Sequence, residues 1–113
     1  MKLLTDKIEK RFSEIGSQDE SEDPVIVAKF FNPAGGGTWL ASEILEYEMM
    51  KENEDETQNW ATALSLQEKE DLLKAGYKVV DIIMFGCVYL FADIGWEWGS
   101  FSLKELENCE EVS

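Results

Sequence analysis

Pro24-Val-Ile-Val-Ala-Lys-Phe-Phe-Asn-Pro33, running on through Ala34-Gly-Gly-Gly-Thr-Trp-Leu-Ala-Ser-Glu43, is the stretch on which the reading of the fold turns. Val25 to Phe31 is rich in β-branched and aromatic residues, which suit a pleated, half-buried surface. Successive strand side chains point to opposite faces, so Ile26, Ala28 and Phe30 share one face and Val27, Lys29 and Phe31 the other. Asn32 to Gly37 has the composition of a turn, and Thr38 to Glu43 resumes an extended pattern, so the two arms are expected to form a hairpin with a longer loop. The glycine run lacks the Lys-Ser/Thr end of a phosphate-binding loop and leads into a strand, which makes it a turn rather than an anion site.

Thr5 is placed to cap a helix over residues 5 to 15, because Leu4, Ile8, Phe12 and Ile15 recur every three to four residues and Gly16 can end it. Residues 17 to 23 are polar and acidic and read as a linker. From Ile44 to Asn59 the pattern is ambiguous, since Ile44, Leu45, Tyr47, Met49 and Met50 could continue a strand or begin a helix, and 46 to 64 reads as a flexible insertion. Ser65 with Glu68 forms a capping box for a helix at about 66 to 75, closed by Gly76. Tyr77 to Phe91 is the central strand candidate, with a bend or bulge expected at Gly86. Phe101 can end a short edge strand after Trp96-Glu97-Trp98, and Ser102 with Glu105 opens a last helix over 103 to 109. This order predicts one α+β domain over residues 1–113: a small antiparallel β-sheet with an N-terminal, a middle and a C-terminal helix.

Composition narrows function by exclusion. The 113 residues carry 24 acids against 10 bases, a formal net charge of −14, and no histidine. Phosphate neutralisation needs clustered Lys and Arg, so direct nucleic-acid binding is not expected, and an anionic membrane surface is disfavoured for the same reason. The longest apolar run, Ile82 to Ala92, falls well short of the roughly 20 residues a membrane helix needs. The first ten residues turn charged at once, which predicts a cytoplasmic location.

Absence of histidine removes His-dependent triads and His-containing zinc sites, and two cysteines cannot build a four-cysteine metal site. Cys87 and Cys109 are read as unpaired thiols, the first a small core residue. Asn53 to Asn59 alternates oxygen-bearing side chains but lacks the glycine and closing glutamate of a calcium loop. No cofactor is expected, and no spacing selects a catalytic pair, so the chain is read as a non-enzyme. Two glutamates, Glu43 and Glu97, stand near tryptophans. With Trp39, Trp96, Trp98 and Phe101 they form the candidate binding set, because tryptophans displayed on a surface favour protein interfaces.

Read together, the segments Leu3-Leu-Thr-Asp-Lys-Ile-Glu-Lys-Arg-Phe12, Pro24, Val27 to Pro33, Thr38-Trp39, Glu43, Phe85-Gly86, Glu97-Trp-Gly99 and Phe101-Ser-Leu-Lys-Glu-Leu-Glu107 resemble the bacterial family of domain of unknown function 2958 (DUF2958), met in mobile-element gene sets. The chain departs from that pattern in a longer connection over 46 to 80 and in lacking the acidic-basic tail that often closes the family. The resemblance implies a small cytoplasmic protein without known activity. Joined to the missing catalytic groups, it makes an accessory protein with a protein partner the leading expectation. A DNA-imitating inhibitor using Glu46 to Glu56 and Glu68 to Asp71 is the alternative, and a small-ligand protein or enzyme with a pocket of Trp39, Glu43 and Trp96 to Trp98 is the third.

Overall fold

A single sixteen-residue strand organises the molecule. The computed structural model describes residues 4–16, 18, 25–32, 37–89 and 95–107. In chain order these form α1 (Asp6–Ile15), β1 (Ala28–Asn32), β2 (Gly37–Glu52), β3 (Gln58–Ala63), α2 (Leu66–Lys74), β4 (Lys78–Tyr89), β5 (Trp96–Ser102) and α3 (Leu103–Glu107). The sheet is antiparallel and five-stranded, ordered β1-β2-β4-β5, with β3 pairing β2 as well. The α+β class and the three expected helices are therefore those of the molecule. No helix among the described residues is long and apolar enough to cross a membrane.

The first half of β2 pairs β1 in the expected hairpin, from Ala28↔Ala41 to Asn32↔Gly37. The second half pairs β3, from Tyr47↔Ala63 to Glu52↔Gln58. Residues 46 to 64, expected to be a flexible insertion, are instead this second hairpin. Its turn explains the oxygen-rich run: Asn53 N–H donates to the Thr57 carbonyl at 2.8 Å, and Asp55 Oδ1 accepts from the Thr57 N–H and hydroxyl. Those two hydrogen bonds hold the Asp55 carboxyl below its usual range. Of the acidic linker only Gln18 is described; the glycine turn at 33–36 and Cys109 also lie outside the described residues.

Both longer helices begin as their sequences predict. Ile8 N–H donates to Thr5 Oγ1 at 3.3 Å, and Glu68 N–H to Ser65 Oγ at 3.1 Å. The Glu68 carboxylate reaches back to the Leu64 N–H, at 2.6 Å, one residue before the cap. Gly16 sits at φ +72°, the left-handed conformation that ends α1 with little steric cost.

Alternation assigns the two faces of the sheet. Ala28, Phe30, Ala41 and Met84 form one core with Leu4 and Phe12 of the α1 region and Leu103 and Leu106 of α3. Tyr47, Met49 and Ala63 form a second, joined by Leu72 of α2, and Ile44 and Ile82 contact both. All three helices thus pack on one face. Three register shifts, at Ser42 and Leu45 of β2 and at Val80 of β4, keep this face apolar along the length of the sheet. The bend expected at Gly86 falls on the opposite strand: Ser42 is the extra residue, and its hydroxyl donates to the Phe85 carbonyl at 3.1 Å.

Tyr47 joins the second core to the helices. Its ring lies beneath Lys69 Nζ, 5.2 Å from the centroid, and Lys69 also bridges to Glu9 of α1 at 2.6 Å. Burial, with the Glu9 and Glu70 charges, pushes the Tyr47 hydroxyl far above its ordinary value near 10. The folded state therefore holds a proton that the unfolded chain releases. Stability is whole below about pH 10 and falls as pH rises beyond it. In an alkaline titration followed by phenolate absorbance and circular dichroism, Tyr47 is expected to ionise together with unfolding, and Tyr47→Phe to remove that component of the pH dependence.

Candidate binding face

Among the described residues no helix packs on the other face of the sheet, and that face is the unusual one. The row Lys29, Leu40, Cys87, Trp98 runs across β1, β2, β4 and β5, with Thr38, Tyr89, Trp96 beside it. Phe85 stacks on Trp98 at 6.0 Å between centroids, and Tyr89 meets Trp96 at 5.0 Å, tilted by 42°. Further along the same face, Met50 and Trp60 are register partners, separated from the first cluster by Glu46 and Glu48. Trp60, Trp96 and Trp98 are 64%, 52% and 54% exposed. Three of the four tryptophans in the chain therefore reach solvent from one face. Large aromatics displayed in this way on a rigid sheet suit recognition rather than folding.

The six residues picked out by sequence do not form one site. Trp96 and Trp98 belong to the open face. Trp39 and Phe101 turn to the helix side and pack against the first core. Glu97 lies between the two tryptophans in sequence, so alternation sends it to the face opposite theirs. Glu43 is 5% exposed and structural: its Oε2 accepts the Gln18 N–H at 2.8 Å, while Gln18 Nε2 donates to the Ser42 and Val25 carbonyls. These bonds hold the chain after α1 against β2 in the interval between its pairing with β1 and with β3. A pocket of Trp39, Glu43 and Trp96 to Trp98 is therefore not assembled. Trp60, which sequence reasoning passed over, joins the open face; the alternation Trp60, Thr62 against Ala61, Ala63 was the available signal.

Two clefts lie on the helix side. One, of about 490 Å³, is bordered by Leu4, Glu9, Lys69, Val79, Asp81 and Lys104. Several of its ionisable groups are engaged: Glu9 with Lys69, and Asp81 with the Ser102 hydroxyl at 2.6 Å, the Lys104 backbone N–H at 3.0 Å and the Ile82 N–H at 2.7 Å. The other, of about 380 Å³, is bordered by Phe12, Glu43, Tyr47 and Leu64. Among the described residues the exposed acids are spread over α1, the β2–β3 turn, α2, β5 and α3. DNA imitation needs them spaced along one face, and this distribution does not favour it.

Cys87 reports on the open face. It is 9% exposed, its register partner is Trp98, and burial pushes its thiol up. In a Cys109→Ser background, Trp98→Ala is expected to raise the rate of Cys87 alkylation by iodoacetamide roughly tenfold while the circular dichroism spectrum is kept. An unchanged rate would mean that Trp98 does not cover the thiol.

A family model described as protein of unknown function (DUF2958) matches residues 3–55, from the start of α1 through β1 and β2 to the β2–β3 turn. The chain resembles that family over just under half its length; Phe85-Gly86 and the Glu97 to Glu107 segment lie outside the match. No curated protein and no solved structure matches the chain.

Proposed function

We propose that this is a non-enzymatic docking protein that receives a protein partner on its open sheet face, and that it serves as an accessory protein of a bacterial mobile element. The observation that carries the docking reading is the display of Trp60, Trp96 and Trp98 on the sheet face that no helix covers among the described residues. The mobile-element setting rests on the DUF2958 resemblance. A net charge of −14 disfavours nucleic acid and acidic partners, and indole faces attract Lys and Arg, so the partner is basic. A partner seated over the tryptophans would desolvate them, the condition under which aromatic anchors contribute most.

The test compares capture from the native cell by the wild-type protein, by Trp96→Ala/Trp98→Ala and by Leu64→Ala. Leu64 is 69% exposed and borders the Phe12 cleft on the helix side. The expected result is one basic protein retained by wild type and Leu64→Ala, with affinity lowered by roughly 30-fold or more in the double variant. Equal retention by the folded double variant would overturn the reading.

A further inference from the structure

Resting on that docking reading, we propose how the partner binds: an extended segment with Lys or Arg at alternate positions adds to β5 as a sixth strand, its cationic side chains lying over Trp96 and Trp98. Three observations point there. β5 ends the sheet order, and among the described residues no strand pairs its outer side, so alternate N–H and C=O groups along Trp96–Ser102 are aimed away from β4. Of the usual protections of such an edge, β5 has neither Lys nor Pro and carries one charged residue, Glu97.

The third observation is Gly99, in the middle of β5. Its partner Gly86 must be glycine because a Cβ there would lie 2.0 Å from the Leu40 carbonyl oxygen. Gly99 has no such constraint: a Cβ would meet nothing within 4 Å, and its φ is not positive. A glycine that its own fold does not require, at the centre of an edge strand, suits close approach by another backbone.

An added strand would bring its facing side chains to about 5 Å from those of β5, within reach of both indoles. Trp96 and Trp98 are two residues apart, so they face alternate residues of the incoming strand, and Glu97 on the other face adds to the selection for positive charge. A second copy of the chain is the other conceivable strand donor, but pairing two chains each of net charge −14 opposes it.

The experiment uses the full chain and a synthetic acetylated heptapeptide amide, Arg-Val-Arg-Val-Arg-Val-Arg, with Glu-Val-Glu-Val-Glu-Val-Glu as control. Residue-resolved amide hydrogen exchange and tryptophan chemical shifts are recorded at the same titration points. The expected result is saturable movement of the Trp96 and Trp98 indole signals, with exchange slowed roughly tenfold or more at the β5 amides that point away from β4, and no response to the Glu peptide. Indole shifts with unchanged exchange at those amides would overturn strand addition and leave docking on the open face standing. An equal response to the Glu peptide would overturn the cationic selection. No response at either place would overturn strand addition and count against a basic partner. Slowed exchange of the same amides without peptide, rising with protein concentration, would assign the edge to a second copy and overturn the proposal.

Discussion

Gly86→Ala is expected to lose most or all of the folded state. The added Cβ would lie 2.0 Å from the Leu40 carbonyl oxygen, 2.8 Å from its carbon and 2.9 Å from the Ala41 Cα, all backbone atoms of the neighbouring strand. A side chain could rotate away; paired backbone can move only by separating β2 from β4. Overpacking against side chains costs about 1–3 kcal/mol, and here the cost should be about 3 kcal/mol or more. Set against the roughly 5–15 kcal/mol that stabilises a typical domain, this predicts a loss of cooperative thermal unfolding or a fall in Tm of about 10 °C or more. An unchanged Tm would mean that the β2–β4 contact around Ser42 is looser than described. The same substitution at Gly99, where space is open, is expected to leave the Tm within a few degrees.

Met84→Ala should have the next largest effect. Met84 is fully buried on the helix side, with Ile44 and Phe101 as register partners and the α1 and α3 side chains of the first core around it. Removing it leaves a cavity that the rigid sheet closes poorly, with an expected cost of about 2–5 kcal/mol in denaturant unfolding. Met50 makes the contrast. It is 9% exposed but lies on the open face beside Trp60, whose side chain can settle into the space, so Met50→Ala is expected to cost about 1–2 kcal/mol. Equal costs at the two methionines would contradict the assignment of all three helices to one face.

The parts of the fold legible in the sequence were those with local punctuation. Thr5 with Gly16, and Ser65 with Glu68, fixed the ends of α1 and α2 through hydrogen bonds between residues three or four apart. The first hairpin was legible because β-branched and aromatic residues flank a glycine-rich stretch of sequence. The second hairpin was not. Glu46, Glu48 and Glu52 look like a solvated connection, yet acids at alternate positions are what one open face of an antiparallel sheet carries. Met49 and Met50, adjacent in sequence, also obscure the alternation, although they face opposite sides of β2.

The candidate site was legible by halves. Trp96 and Trp98 could be placed on one face from their spacing alone. Whether that face was covered depended on where α1, α2 and α3 pack, which is a long-range property of three bulged registers. The same dependence sent Trp39 and Phe101 into the core and gave Glu43 a structural role through Gln18, a residue 25 positions away in the chain.

Hydroxyl-radical footprinting of the four tryptophans, in the free protein and in complex with its captured partner, shows whether the partner sits on the open sheet face. Trp60, Trp96 and Trp98 are expected to oxidise readily in the free protein, and Trp96 and Trp98 to become protected in the complex while the more sheltered Trp39 changes little. Protection confined to α2 and the β2–β3 turn, with Trp96 and Trp98 as reactive as before, would contradict it and return attention to the acidic surface.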